Sequence, residues 1–186
     1  MKRLFDVMAA AVLLVVTAPL MAVIAVMIKM TSAGPVLYRS RRVGRDNKNF
    51  LMPKFRTMLE NTPEVATHLL TDAEKYLTPL GKFLRVTSLD ELPQLWSVLR
   101  GEMSLVGPRP ALFNQDDLIK LRTEKGVHRL RPGITGWAQI NGRDDLPVVE
   151  KVSYDEYYLY NRSFFFDLKI LGKTFCKVIQ REGIAH

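Results

Sequence analysis

Two adjacent acids, Asp90 and Glu91, stand in the stretch TSLDELPQLWSVLRGEMSLVGPRP, Thr87 to Pro110, at the mouth of an apolar run that ends in Gly-Pro-Arg-Pro. Paired carboxylates can act as acid, base, nucleophile or cation ligand. They can equally cap a helix. Ser88 followed three residues later by Glu91 fits a capping box, and Leu89, Leu92, Leu95, Trp96 and Leu99 recur behind it at helical spacing. Pro93 would remove a backbone hydrogen bond from a helix capped by Ser88, whereas a start at Asp90 puts it harmlessly in the first turn. Under either start the carboxylates sit at a helix N-terminus, whose converging N–H groups also attract phosphate.

Basic side chains are the natural partners of such a pair if the substrate is an anion. Arg39 to Met58 reads RSRRVGRDNKNFLMPKFRTM, basic with interleaved apolar residues and a turn at Gly44 to Asn47 between short strands. A run of this kind forms a solvated or headgroup-facing surface. Lys54 and Arg56 alternate within it, so a strand there would aim both at one face and one anionic group. Further on, Pro108 and Pro110 fix the backbone around Arg109, so little entropy is lost in holding its guanidinium against a phosphate, although an ordinary exposed loop has the same pattern. RPGITGWAQINGR, Arg131 to Arg143, either builds two tight turns or offers its tryptophan and amides to a nucleobase or sugar.

The elements that must position these residues begin with Val7 to Ile28, an uncharged run of 22 residues that is long enough to cross a bilayer. A cleavable signal peptide fits poorly, because Asp6 interrupts the flank and no small-residue cleavage site follows. Lys2 and Arg3 precede the run while Lys29, Arg39, Arg41, Arg42, Arg45 and Lys48 follow it, so both flanks carry cytoplasmic charge. Pro19 near its middle would kink the helix and let it enter and leave on one side; a kinked single span is the competing possibility. Asn61 to Thr78 reads as a polar loop with a short helix, and Asn114 to His128 as an amphipathic helix. In the C-terminal part Lys169, Lys173, Lys177 and Arg181 recur every four residues opposite Leu168, Leu171, Phe175, Val178 and Ile179, a helix suited to a membrane interface or to packing on a core.

At 186 residues and a net charge of +8, the chain suits one domain with an appended segment and calls for an acidic partner, whether nucleic acid, anionic lipid or a phosphate-bearing substrate. The single cysteine, Cys176, excludes an internal disulfide, and His68, His128 and His186 lack metal-ligand spacing.

Taken together, KRxxD before a proline-broken apolar helix, PKFRTM, the Thr87 to Pro110 stretch, RPGITGWAQINGR and FFFDLKIL resemble the monotopic polyprenol-phosphate phosphoglycosyl transferases of the bacterial sugar transferase family, in its minimal form, over nearly the whole chain. The resemblance implies a helix-dominated α+β fold: a re-entrant membrane helix broken at Pro19 over residues 1–33, then a cytoplasmic catalytic domain with interfacial amphipathic helices over 34–186. It implies transfer of a sugar 1-phosphate from a nucleotide sugar, with UDP and an N-acetylated hexose as the family-level expectation, to undecaprenyl phosphate, releasing nucleoside monophosphate in the first membrane step of glycoconjugate (O-antigen or other polysaccharide) assembly. Asp90 matches the nucleophile that forms an aspartyl phosphosugar in a ping-pong mechanism. Glu91 matches the second acid, Asp90 and Glu91 together match the Mg²⁺-binding positions, and Lys54, Arg85 and Arg109 match the phosphate-contacting residues. The expected partners are the nucleotide-sugar donor, the polyprenyl phosphate and membrane lipids, with no nucleic acid. A homodimer is admitted, and the expected site is the cytoplasmic face of the bacterial inner membrane. Competing assignments are a membrane-bound nucleotide-sugar hydrolase or glycosyltransferase, and a non-enzymatic basic module that binds lipid or nucleic acid.

Overall fold

The computed structural model describes residues 2–60, 62, 73–142 and 146–180. Expectations for Met1, His68, Arg143, Arg181, His186, most of the Asn61 to Thr78 loop and the Ile179 side chain lie outside the described residues. Helices dominate: α1 (Lys2–Thr31), α2 (Gly81–Val86), α3 (Gln94–Arg100), α4 (Asp116–Glu124), α5 (Trp137–Asn141), α6 (Val148–Asn161) and α7 (Phe164–Gln180). The strands are short: β1 (Leu37–Val43), β2 (Asn49–Phe55), β3 (Ser104–Val106), β4 (Ala111–Leu112) and β5 (Gly133–Thr135). They form an antiparallel sheet in the order β2-β1-β4 and a parallel pair β3-β5. The β1-β2 hairpin sits where the sequence places it. Asp46 and Asn47 take left-handed φ of 55° and 58° in its turn, a conformation these two residue types tolerate.

α1 carries the long apolar run and packs on the rest of the molecule at both ends. Near its start, Ala10 joins a core with Leu95 and Val98 of α3, Leu105 and Val106 of β3, Tyr158 of α6 and Ile170 of α7. Near its end, Ile24 and Ile28 pack on Phe55 and Leu84. Polar contacts reinforce both. Asp6 is buried and accepts from the Ser104 hydroxyl at 2.8 Å and the Leu105 amide at 3.3 Å. Lys2 donates to Asp167 at 2.6 Å, and at the other end Arg56 donates to the Ser32 carbonyl at 2.9 Å. Between these anchors Leu14 and Met21 still pack against the two clusters, while the remaining surface of the helix is open, with Val15 75% and Val16 69% exposed. Helical structure continues through Pro19, which lies inside α1.

Several local expectations are corrected. The Ser88 capping box does not form: Ser88 has a left-handed φ of 56° and makes no capping bond, Leu89–Glu91 form a 3-10 turn, and α3 begins only at Gln94 with Pro93 at its N-cap. A start at Asp90 fails for the same reason. Proline has no N–H to give an α-helical ladder, and immediately before the first helical residue this deficiency removes no ladder bond. The buried face also differs from the expected stripe: Leu95 and Val98 are buried while Trp96 is 56% exposed. α4 is shorter than Asn114 to His128, because Gly126 at φ 74° separates it from a 3-10 turn at Val127–Arg129. On α7, Asp167 and Ile170 face the core while Leu168 and Phe175 stay exposed, so its apolar surface is divided between core and exterior.

Candidate active site

Four segments converge on the acid pair. The 3-10 turn Leu89–Glu91 presents Asp90 and Glu91, β2 presents Lys54, α2 presents Arg85, and the β3-β4 loop presents Arg109. Lys54 Nζ donates to Glu91 Oε1 at 2.8 Å and lies 3.9 Å from Asp90 Oδ2. Arg109 Nη1 lies 3.6 Å from Glu91 Oε1. Arg85 acts electrostatically on Asp90, lowering its pKa. The five residues that the resemblance assigns to the site are therefore brought together. Arg56 is not among them: β2 ends at Phe55, strand alternation ends with it, and the Arg56 side chain turns to Ser32 at the end of α1.

The two carboxyls, one residue apart, have opposite electrostatic environments. Asp90 is buried, and desolvation pushes its carboxyl up to about 6 despite Lys54, with the Glu91 charge adding to the rise. Desolvation raises Glu91 too, but Lys54 and Arg109, with a contribution from Arg42, outweigh it and bring Glu91 down to about 2. Glu91 is thus held as a carboxylate by the Lys54 and Arg109 side chains, while Asp90, with less compensation, is pushed up to about 6. Paired titratable groups driven apart in this way are characteristic of acid, base and nucleophile assignments.

The β3-β4 loop is built for close approach. A Cβ on Gly107 would strike the Arg131 carbonyl, one on Gly133 would strike the Gly107 amide, and one on Gly136 would strike the Gly107 carbonyl. The glycines of RPGITGW thus let two backbones touch behind the Arg109 loop, where the sequence alone left turns or ligand contacts open. A cavity beside Arg109 is lined by Val43, Asn47, Pro108, Ile119, His128 and Pro132 among others.

Sequence reasoning passed over three side chains around the site. Arg42 donates from Nη1 to the Pro110 carbonyl at 3.1 Å. Arg122 donates from Nη1 to the Arg109 carbonyl at 2.8 Å, and Asp155 accepts from Arg122 Nε at 2.9 Å and Nη2 at 2.6 Å. The available signal was Arg122 itself, a charge four residues after buried Leu118 and on the same helical face.

Among the described residues no group of three or more His, Cys, Asp or Glu side chains could hold a metal ion. The acid pair alone fits a cation of the magnesium type, which takes one or two carboxylates and completes its shell with water and substrate phosphate.

Fold and site together define a class: an acid pair in a basic cradle, on a domain that grips both ends of one long apolar helix. The chain belongs to the bacterial sugar transferase family, whose model matches residues 1–181, and is a transferase enzyme. It is 45% identical to an uncharacterized sugar transferase, EpsL, of Bacillus subtilis (strain 168), over 99% of this chain and 90% of the relative. It is 42% identical to the UDP-glucose:undecaprenyl-phosphate glucose-1-phosphate transferase of Klebsiella pneumoniae, over 95% of this chain and 39% of that protein. It is 38% identical to the undecaprenyl-phosphate galactose phosphotransferase of Salmonella typhimurium, over 98% of this chain and 41% of that one. The chain thus spans nearly all of the first relative and about two fifths of the two longer ones.

Proposed function

We propose that the protein transfers a sugar 1-phosphate from a nucleotide diphosphate sugar, with UDP as the nucleotide, to undecaprenyl phosphate, through a phosphosugar ester on Asp90. The observation that carries the reading is the buried Asp90 carboxyl beside Lys54, Arg85 and Arg109. An anionic nucleophile can approach a diphosphate only where cations neutralise both, and these three side chains supply that charge. The relatives whose names specify undecaprenyl-phosphate chemistry align over 95% or more of this chain, which supports the same substrates here.

In the first displacement a carboxylate oxygen of Asp90 bonds to the β-phosphorus as the bond from that phosphorus to the α–β bridging oxygen breaks, so nucleoside monophosphate leaves with the bridging oxygen and its electron pair. In the second, a phosphate oxygen of the polyprenyl acceptor bonds to the same phosphorus, and the Asp90 carboxylate leaves. Splitting the transfer lets a soluble and a lipid substrate use one site in turn. Glu91 keeps Lys54 and Arg109 oriented across the diphosphate and, with Asp90, would hold Mg²⁺. When bound, that ion supplies further neutralisation of phosphate charge.

Residues 1–33 then act as a re-entrant membrane helix turning near Pro19, and 34–186 as a catalytic domain on the cytoplasmic face of the bacterial inner membrane. Support comes from the contacts that both ends of α1 make with one domain while most of the apolar side chains between them stay exposed. A helix of 30 residues is about 45 Å long, so a straight span would carry one end across a bilayer core of about 30 Å and away from that domain. The exposed Phe165 and Phe175 of α7, beside its lysines, suit the interface.

The test is incubation of the full-length enzyme with UDP-sugars and Mg²⁺. Without acceptor, about one equivalent of nucleoside monophosphate is released and Asp90 gains the mass of one sugar phosphate; continuous release requires polyprenyl phosphate. Continuous release without acceptor would make the protein a hydrolase. Intersecting double-reciprocal lines with no trapped adduct would replace the ester with direct transfer.

A further inference from the structure

The sequence GPRP, Gly107 to Pro110, places one proline on each side of Arg109, and neither has an N–H to give to a turn hydrogen bond. The carbonyls of the loop are taken from outside. Gly133 N donates to the Pro108 carbonyl at 2.9 Å, Arg42 takes that of Pro110, and Arg122 takes that of Arg109. Arg122 is singular among these donors because it is a buried cation, 7% exposed, and Asp155 on α6, 1% exposed, receives two of its N–H groups. Such a pair adds little net stability, since two charges must be desolvated to form it and an apolar pair of similar volume is often as good. Its third arm ends on the backbone of a residue whose side chain reaches 3.6 Å from the Glu91 carboxylate.

We propose that Arg122 and Asp155 are positioning residues for the transfer reaction, holding the Arg109 carbonyl so that the Arg109 guanidinium stays aimed at the acid pair and at the diphosphate bound there. This rests on the phosphate-binding role of Arg109 proposed above. Asp155 fixes the plane of the Arg122 guanidinium by binding Nε and Nη2, and the rigid fork then directs Nη1 at the carbonyl. α4 and α6 thus determine where a cation on the β3-β4 loop points, without either helix touching substrate.

The experiment uses the full-length protein in detergent micelles, with UDP as the binding probe and UDP-sugar turnover as the second readout. Replacing both members of the pair, Arg122→Met with Asp155→Leu, leaves no buried charge alone, so the unfolding midpoint stays close to that of the unaltered protein while the Kd for UDP rises about tenfold, the scale expected when a binding group shifts by a fraction of an ångström. In an Arg109→Ala background the same double replacement changes the Kd by less than about twofold, because the residue it acts through is gone. Should the apolar pair fail to fold, Arg122→Lys decides: it keeps a charge facing Asp155 but lacks the fork that reaches the carbonyl as well, and it too weakens UDP binding only when Arg109 is present. If Arg109→Ala alone leaves UDP binding and turnover unchanged, the phosphate role of Arg109 fails. If Arg109→Ala weakens binding while the folded pair variant does not, or if the pair's effect persists undiminished without Arg109, the positioning role is overturned and the phosphate role stands.

Discussion

At the scale of single residues, the burial of Asp90 beside cation-paired Glu91 carries consequences for both activity and stability. Asp90 is raised from 3.8 to about 6, so its folded form binds a proton more tightly than the unfolded chain does. The stability this group contributes is therefore present below pH 3.8 and lost as pH rises through about 6. Asp90→Asn is a neutral near-isostere. It should be more stable than the unaltered protein above about pH 6, by on the order of 3 kcal/mol, and so melt at a higher temperature, with the gap closing toward pH 4; thermal unfolding in micelles across that range measures it. The same variant should lose turnover entirely, because an amide does not replace the carboxylate as nucleophile. For the unaltered enzyme, kcat/KM for the donor should rise with pH and level off above about 6, as Asp90 ionises. Lys54 lowers the Asp90 pKa, so Lys54→Met should move that limb to higher pH; an unmoved limb would assign it to another group.

At the scale of elements, α1 joins the membrane reading to the site. Ile28 of α1 packs against Phe55, the residue after Lys54, and Asp6 of α1 holds the Ser104 hydroxyl on β3, the strand leading to the Arg109 loop. A change in the path of α1 is thus felt on both flanks of the site. Pro19→Ala restores a backbone donor and favours a straight helix, which should carry the N-terminal end away from β3 and lower turnover by at least about tenfold. Activity and maleimide accessibility measured together check this, and a variant unchanged in both would remove Pro19 from the account of topology. The hairpin, the apolar helix and the C-terminal amphipathic helix were legible because each depends on a local periodicity or turn chemistry. The start of α3 was not, because the Ser88 to Glu91 capping signal was overridden by a left-handed Ser88 and by Pro93.

At the scale of the whole molecule, re-entry predicts that both ends of α1 lie on one side of the bilayer. In a chain carrying Cys176→Ser, a cysteine at Leu4 and another at Asn49 should both react with a membrane-impermeant maleimide from the same face of proteoliposomes. Both positions are exposed. Labelling of Leu4→Cys from the opposite face would establish a full span. The net charge of +8 fits either arrangement, since it attracts anionic headgroups and anionic substrates alike.

Local signatures in the chain were enough for the hairpin, the apolar helix and, through its motifs, the family, and they nominated the five residues of the candidate site. Lys54, Arg85, Asp90, Glu91 and Arg109 each belong to a short recognisable string, and strings survive without knowledge of what packs on them. Other features depend on contacts between residues far apart in the chain. Arg56, two residues from Lys54, turns to the end of α1 because β2 stops between them. The acid with the raised pKa is Asp90, because burial acts there with less opposition, whereas Lys54 and Arg109 close on Glu91. Arg122 and Asp155, 33 residues apart, meet behind Arg109 only once α4 and α6 are packed. Desolvation and pairing depend on which atoms exclude water and which charges face one another, and residues distant in the chain supply both.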